Sequence, residues 1–268
     1  MLIEVLIFSL ILGVFVGLAA GYVGSVMVME RMALVGDALS HVALPGLAIG
    51  ILLNFNPFLG AFAFLFGSSV VIWQLRKVTK LPFETLVGTI FTLALAIGIL
   101  LVPQPDLLEA LFGDITTINL VDAIIAITIS IVVISLTRVI YKKITLSLIS
   151  EELAISQGVN VSRINLLYLL LVSLVVAIGI RFTGTLLVGM LVVTPAAAAK
   201  TVSSKLSRYF ILSAAFGAAS AFSGILLTSY LNTLPGINIP PGPLVVISGM
   251  IIFLITIAIR RATKFSAA

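Results

Sequence analysis

The sequence predicts an all-α, polytopic membrane protein of about nine transmembrane helices with one short helix outside the bilayer. Three observations carry that prediction. Of 268 residues, 61% are hydrophobic and only 9% are charged, whereas a soluble domain carries about 25% charge. Mean hydropathy is +1.31, and the apolar residues come in runs of roughly 17–25, the length that spans a bilayer core as helix. Stretches such as Ala123–Ile134 are apolar at every position but Thr128 and Ser130, without the sustained alternation of a membrane β-barrel. A helix, moreover, satisfies every backbone polar group within its own segment, as hydrocarbon demands.

Glycine, proline and charge clusters divide the chain into nine apolar segments, read as a single transmembrane domain over residues 1–268. They are Leu2–Met29, Met32–Leu53, Pro57–Leu75, Thr85–Val102, Val121–Tyr141, Ile164–Ile180, Gly184–Ala199, Arg208–Leu231 and Pro243–Ile259. The N-terminal MLIEVLIF has no basic residues ahead of its apolar run. A secretory signal peptide carries them, so this segment reads as a retained first helix. Cysteine is absent, which excludes disulfides and thiolate metal sites.

Connections between the segments alternate sides of the membrane. One side receives 14 of the 15 basic residues, from Arg31 to Lys264, and only Arg181 falls elsewhere. That side reads as cytoplasmic, with the N-terminus outside and the C-terminus inside a cell membrane. The net charge of +5 is then a topology signal and calls for no nucleic acid. The outer connection VPQPDLLEALFGDITTINLVD holds Asp106, Glu109, Asp114 and Asp122 without Lys or Arg. Two readings stand: an acidic mouth that attracts cations, or simply an absence of positive charge. LNTLPGINIPPGP, uncharged and proline-rich, suits a rigid external cap.

The largest inner connection runs from Lys142 to Arg163 and contains SLISEELAISQGVN. Ser150 suits an N-cap, and Glu151 and Glu152 suit the positive end of a helix dipole. Gly158 suits the C-cap. A helix of about two turns is predicted over roughly residues 148–158. It reads as a surface for a motor subunit or as a plain structured loop.

The second segment, ERMALVGDALSHVALPGLAIGILL, carries Asp37 and the chain's one histidine, His41. Four residues apart on a helix, the two side chains share one face. Ionisable groups inside a membrane mark pathways or relays, and carboxylate plus imidazole are ligands for a divalent metal. Pro45 sharpens the reading. It removes the hydrogen bond to the His41 carbonyl and should kink the helix beside the imidazole, and irregular backbone at that depth points to a cavity. Three roles remain open for the pair: metal ligands, a proton relay, or a lock between helices. One chain supplies too few ligands, but two copies about a two-fold axis supply two Asp and two His.

Other residues carry weaker signals. Arg181 either snorkels to the headgroups or pairs with Asp114 or Glu109 as part of an outer gate. Glu84 follows Pro82 as an N-terminal helix acid. The run TPAAAAKTVSS at 194–204 has tiny side chains that permit close helix packing.

ERMALVGDALSHVALPGLAIG closely resembles the second-helix signature of the zinc/manganese/iron permeases of ABC importers. LLEALFGDI at 107–115 is similar to their outer-loop motif, EELAISQGVN at 151–160 to their coupling segment, and GTLLVGMLVVTPAAAAK at 184–200 to a further helix. The matches follow the family's order across most of residues 20–205. The resemblance implies a permease that pairs with a second copy of itself, binds two cytoplasmic ATPase subunits and receives metal from an extracytoplasmic binding protein. It implies that Asp37 and His41 line the route, and that Glu151, Glu152, Ala154 and Gly158 belong to a coupling helix. The cargo would be zinc or manganese, possibly iron, with no permanently bound cofactor. No GxxxxGK[ST] motif occurs in the chain, so ATP would be hydrolysed on a partner.

Two rivals remain beside this. A proton-coupled secondary metal carrier would use Asp37 as its relay and need no ATPase. An intramembrane protease needs HExxH or a Ser–His dyad. The single histidine forbids the first, and adjacent Ser40 and His41 point about 100° apart on a helix. Carboxylate and imidazole suit zinc, manganese and iron alike, while copper(I) is disfavoured without cysteine.

Overall fold

Apolar runs bounded by capping residues fold as helices α1 (Leu2–Met29), α2 (Ala33–Val42), α3 (Leu44–Leu52), α4 (Pro57–Thr79), α5 (Phe83–Leu101), α6 (Leu120–Ile149), α7 (Glu151–Ser156), α8 (Val161–Val202), α9 (Leu206–Leu231) and α10 (Pro241–Phe265). They are seen in a computed structural model that describes residues 2–101, 120–234 and 239–265. Among the described residues, nine spans are long and apolar enough to cross a membrane. Two of them, Val161–Ile180 and Thr183–Val202, lie within α8.

Capping chemistry sets the boundaries. The Asn56 side chain accepts the Phe58 N–H at 3.0 Å at the start of α4. Asn160 accepts the Arg163 N–H at 3.0 Å at the start of α8. Arg31 (φ 60) and Asn54 (φ 53) end α1 and α3 in the left-handed region. Beyond them, the Met32 and Phe55 N–H groups donate to Met27 and Gly50 carbonyls five residues back, which satisfies orphaned carbonyls at the helix ends.

α1 runs through the middle of the molecule, against α9, α8 and α6. Hydrocarbon gives helices no hydrophobic reason to associate, so close packing of small residues does the work. Gly17 meets the backbone of Gly217, Gly21 meets Ser213, and Gly24 meets Val192. Side-chain hydroxyls add hydrogen bonds between helices. Tyr168 and Tyr209 donate to the Val23 and Ser25 carbonyls, each at 3.1 Å, and Ser69 pairs with Ser173 at 2.7 Å.

Three boundaries differ from those predicted. The second segment is two helices, and the break falls at Ala43, because Pro45 starts the next helix in its first turn, where a missing N–H costs nothing. The sixth and seventh segments form one helical run interrupted at Gly184 (φ 74, ψ 172). A residue with a Cβ avoids that conformation. Gly179 lies against Val188 across the interruption, so the two halves fold back on each other. Finally, α6 continues to Ile149, past the predicted Tyr141. Lysine is a good helix former, so charge alone does not end the helix where it leaves the apolar layer. The short outer helix is correspondingly confined to residues 151–156.

Candidate functional site

The site is built on α2. A glycine at position 36 lets this helix approach Met27 of α1, and its ideal Cβ would lie 3.3 Å from the methionine methyl. Gly189 in the second half of α8 backs Asp37. A Cβ there would lie 2.9 Å from the Asp37 Cβ and closer still to its backbone. On the third side Phe91 of α5 lies 5.5 Å from the His41 ring, tilted by 50°. α2 is thus held on three sides, and Asp37 and His41 are both half-buried along the remaining one. Leu34, one turn before Asp37 on that face, is 79% exposed.

His41 Nδ1 is buried and has no hydrogen-bond partner among the described residues. A buried polar atom without a partner is costly and is found where something else is meant to complete it. Ser40, by contrast, is fully buried, and its hydroxyl donates to the Asp37 carbonyl at 2.6 Å. It is committed to the backbone and does not serve the imidazole.

Pro45 is buried, and Gly98 of α5 packs against it and Leu44, with an ideal Cβ 2.9 Å from Leu44 Cβ. The kink predicted beside His41 is present. Ala43, Leu44 and Pro45, the residues of the break, are buried within the chain. What stays open is the Asp37–His41 face. No group of three or more His, Cys, Asp or Glu that could hold a metal occurs among the described residues.

The other expected residues divide in two. Ser150 accepts the Leu153 N–H at 3.1 Å as the N-cap of α7. Gly158 (φ 77) follows its C-terminus, and the Val159 N–H donates to the Ala154 carbonyl at 3.0 Å. Ala154 is fully buried against the body of the protein, while Glu151 and Glu152 are exposed. Glu84 sits in the first turn of α5. Asp106, Glu109 and Asp114 lie outside the described residues, as does the side chain of Arg181.

Sequence reasoning missed Phe91 and Gly189, the residues that fix His41 and Asp37. It also missed Leu153 and Ile155, which α7 leaves 45% and 59% exposed. Their signal was available, since two apolar residues beside two glutamates on an extramembrane helix invite a partner. Phe91 had none, because only the tertiary fold brings it to the imidazole.

Comparison with known proteins agrees with this architecture. The model of the ABC 3 transport family matches residues 2–260. A manganese transport system membrane protein, MntC, of Listeria monocytogenes is 34% identical, over 92% of this chain and 88% of that one. A high-affinity zinc uptake system membrane protein, ZnuB, of Haemophilus influenzae is 30% identical, over 96% and 98%. Among solved structures, PsaBC from Streptococcus pneumoniae in complex with Fab superposes with a TM-score of 0.79 at 28% identity, covering 92% of this chain and 89% of that one. Family, relatives and fold lead to one conclusion: the chain belongs to the ABC 3 transport family, as a membrane permease subunit and not an enzyme.

Proposed function

We propose that two copies of this chain bring their α2 faces together and pass a divalent transition metal, manganese or zinc, between two Asp37 and two His41 side chains. The observation that carries this reading is the half-built ligand set on α2. It consists of a carboxylate and an imidazole one turn apart on an open face, with the imidazole Nδ1 left without a partner. Four donors of this hardness suit zinc as they stand, and suit manganese with added water. Relatives named for manganese and for zinc match 92% and 96% of the chain. Membership of an ABC family decides against the proton-coupled carrier.

In this reading α7 faces the cytoplasm and carries the thrust of two ATPase subunits. Ala154 anchors it to the permease, while Leu153, Ile155, Glu151 and Glu152 are offered to the motor. The sorting of 14 basic residues to one side supports an N-terminus outside and a C-terminus in the cytoplasm of a cell membrane. Asp106, Glu109 and Asp114 then form an outer mouth that concentrates cations delivered by a binding protein. Arg181, next to the reversal at Gly184, stands on that outer side as a gate residue.

The test is metal content of the purified importer, assembled with its ATPase and binding protein. The wild type should hold about one ion per permease pair. Asp37→Leu/His41→Leu should be as stable as the wild type and hold none, because apolar groups replace a buried polar pair without cost but cannot ligate. A double-leucine importer that still takes up radioactive manganese or zinc would remove these residues from the pathway.

A further inference from the structure

At the basic end of the molecule, the end of α4 and the starts of α5, α7 and α8 enclose a cleft of about 410 Å³. Three cations line it, Arg76, Lys77 and Lys80, against one carboxylate, Glu151. Two of the cations are clamped by aromatic rings. The Arg76 guanidinium lies 3.8 Å over Phe83 and the Lys77 ammonium 3.4 Å over Trp73. Trp73 is itself fixed, since its indole N–H donates to the Ser162 carbonyl at 2.8 Å and hydroxyl at 3.0 Å.

A ring face orients a cation without neutralising it, whereas a carboxylate would cancel the charge. Arg76 is also faced by the charges of Glu151 and Glu30, so three cations stand against two carboxylates. One positive charge is left over on pre-positioned groups, and a guanidinium beside ammoniums suits phosphate oxygens. Tryptophan favours the depth where headgroups meet acyl chains. From that depth α4 runs into the bilayer with Val70, three residues before Trp73 on the same face, 40% exposed, and with partly buried Phe66 one turn further in. One ligand satisfies both features: a phosphate joined to an apolar tail.

We propose that this cleft binds the phosphate of an anionic phospholipid, with the acyl chains lying along Val70 and Phe66 of α4. Such a lipid would sit between α4 and Glu151 of α7, at the joint between membrane body and outer helix. Basic pockets between helices on the cytoplasmic side are suited to anionic headgroups. The proposal is independent of the metal site, and its failure leaves that reading untouched.

The test is thermal melting of the purified permease in detergent, titrated with phosphatidylglycerol, phosphatidylcholine or soluble glycerophosphate. Phosphatidylglycerol should raise the melting temperature by several degrees and phosphatidylcholine should not. Lys77→Gln/Lys80→Gln should lose at least half of the shift, and Lys77→Arg/Lys80→Arg should keep it. Lys142→Gln/Lys143→Gln, which removes equal charge from the exposed end of α6, should also keep it. Equal loss in both glutamine pairs would reduce the effect to bulk surface charge and overturn the site. Glycerophosphate matching the lipid would assign the cleft to a soluble phosphate. A lipid shift that vanishes once the ATPase is bound would give the cleft to the protein partner. Either result overturns the lipid assignment.

Discussion

α2 and α7 are both short, ten and six residues, and both carry acidic side chains in a chain that has few. They are held in place by different means. α7 is closed by its own ends, with Ser150 bonded to the Leu153 N–H and Gly158 in the left-handed region. α2 has no side-chain cap. Its position comes from neighbours far away in sequence, Met27, Phe91 and Gly189. A helix defined by its own ends can move as a unit and still keep its shape. A helix defined by its surroundings reports every change in them. That is the division of labour expected if, as proposed, α7 transmits force and α2 positions ligands.

The comparison is sharpened most by the site itself. Asp37→Asn and His41→Ala should each lower metal uptake beyond the roughly 100-fold that loss of a mere outer-shell partner costs. Melting should barely change, because both side chains lie on a half-open face. If the pair were only a lock between helices, either substitution would instead lower stability by about 3–5 kcal/mol. A thermal melt beside a vesicle uptake assay separates the two.

Next in size is the support of α2. In Gly189→Val the new side chain falls on the Asp37 backbone, and overpacking of this kind costs about 1–3 kcal/mol. Uptake and metal affinity should fall together, while ATPase binding to the permease persists. Gly158→Val is the converse experiment. Forcing a β-branched residue to φ 77 costs about 1–2 kcal/mol, and that cost stays local to α7. ATPase stimulation and uptake should drop while metal affinity and global melting hold. If both variants gave the same pattern, the distinction between the two helices would collapse.

This contrast also explains what could be read from the chain. Ser150, the two glutamates and Gly158 specify α7 through interactions that span at most five residues, so local rules found its capping residues, although the helix between them, residues 151–156, is shorter than the 148–158 expected. The nine spans were legible because hydrocarbon admits few solutions. The Gly184 reversal was legible as a segment boundary, but the tightness of the turn was not, since it depends on Gly179 meeting Val188. Asp37 and His41 were found because ionisable groups are rare in such a chain. Phe91 and Gly189 were not, because an apolar ring and a glycine among many gain their meaning only from the packing of α5 and α8 on α2. The fit of the proposed second copy is set by contacts between chains, which no pattern within one sequence spells out.

The smallest expected effect concerns the link between α1 and α2, where Glu30 lies just outside the first span. Burial pushes its carboxyl up from the ordinary 4.5 to about 7, with the charge of Arg76 pulling the other way. Folding therefore favours the protonated form. The associated stability is fully present below pH 4.5 and is lost as the pH rises through about 7. Glu30→Gln keeps the neutral shape and cannot ionise. It should melt with the wild type below pH 4.5 and progressively above it as the pH approaches and passes about 7, where the wild type carries a buried charge. Protonation of the ligands themselves gives metal affinity a pH course common to both proteins. Because Glu30 leads directly into α2, a difference in affinity between wild type and variant should open as the pH rises toward about 7. The caps of α7 contain no group that titrates in this range, so ATPase binding should show no such difference. Superimposable melting profiles for the two proteins across this range would mean that Glu30 stays charged, and the link would then drop out as a source of strain on the site helix.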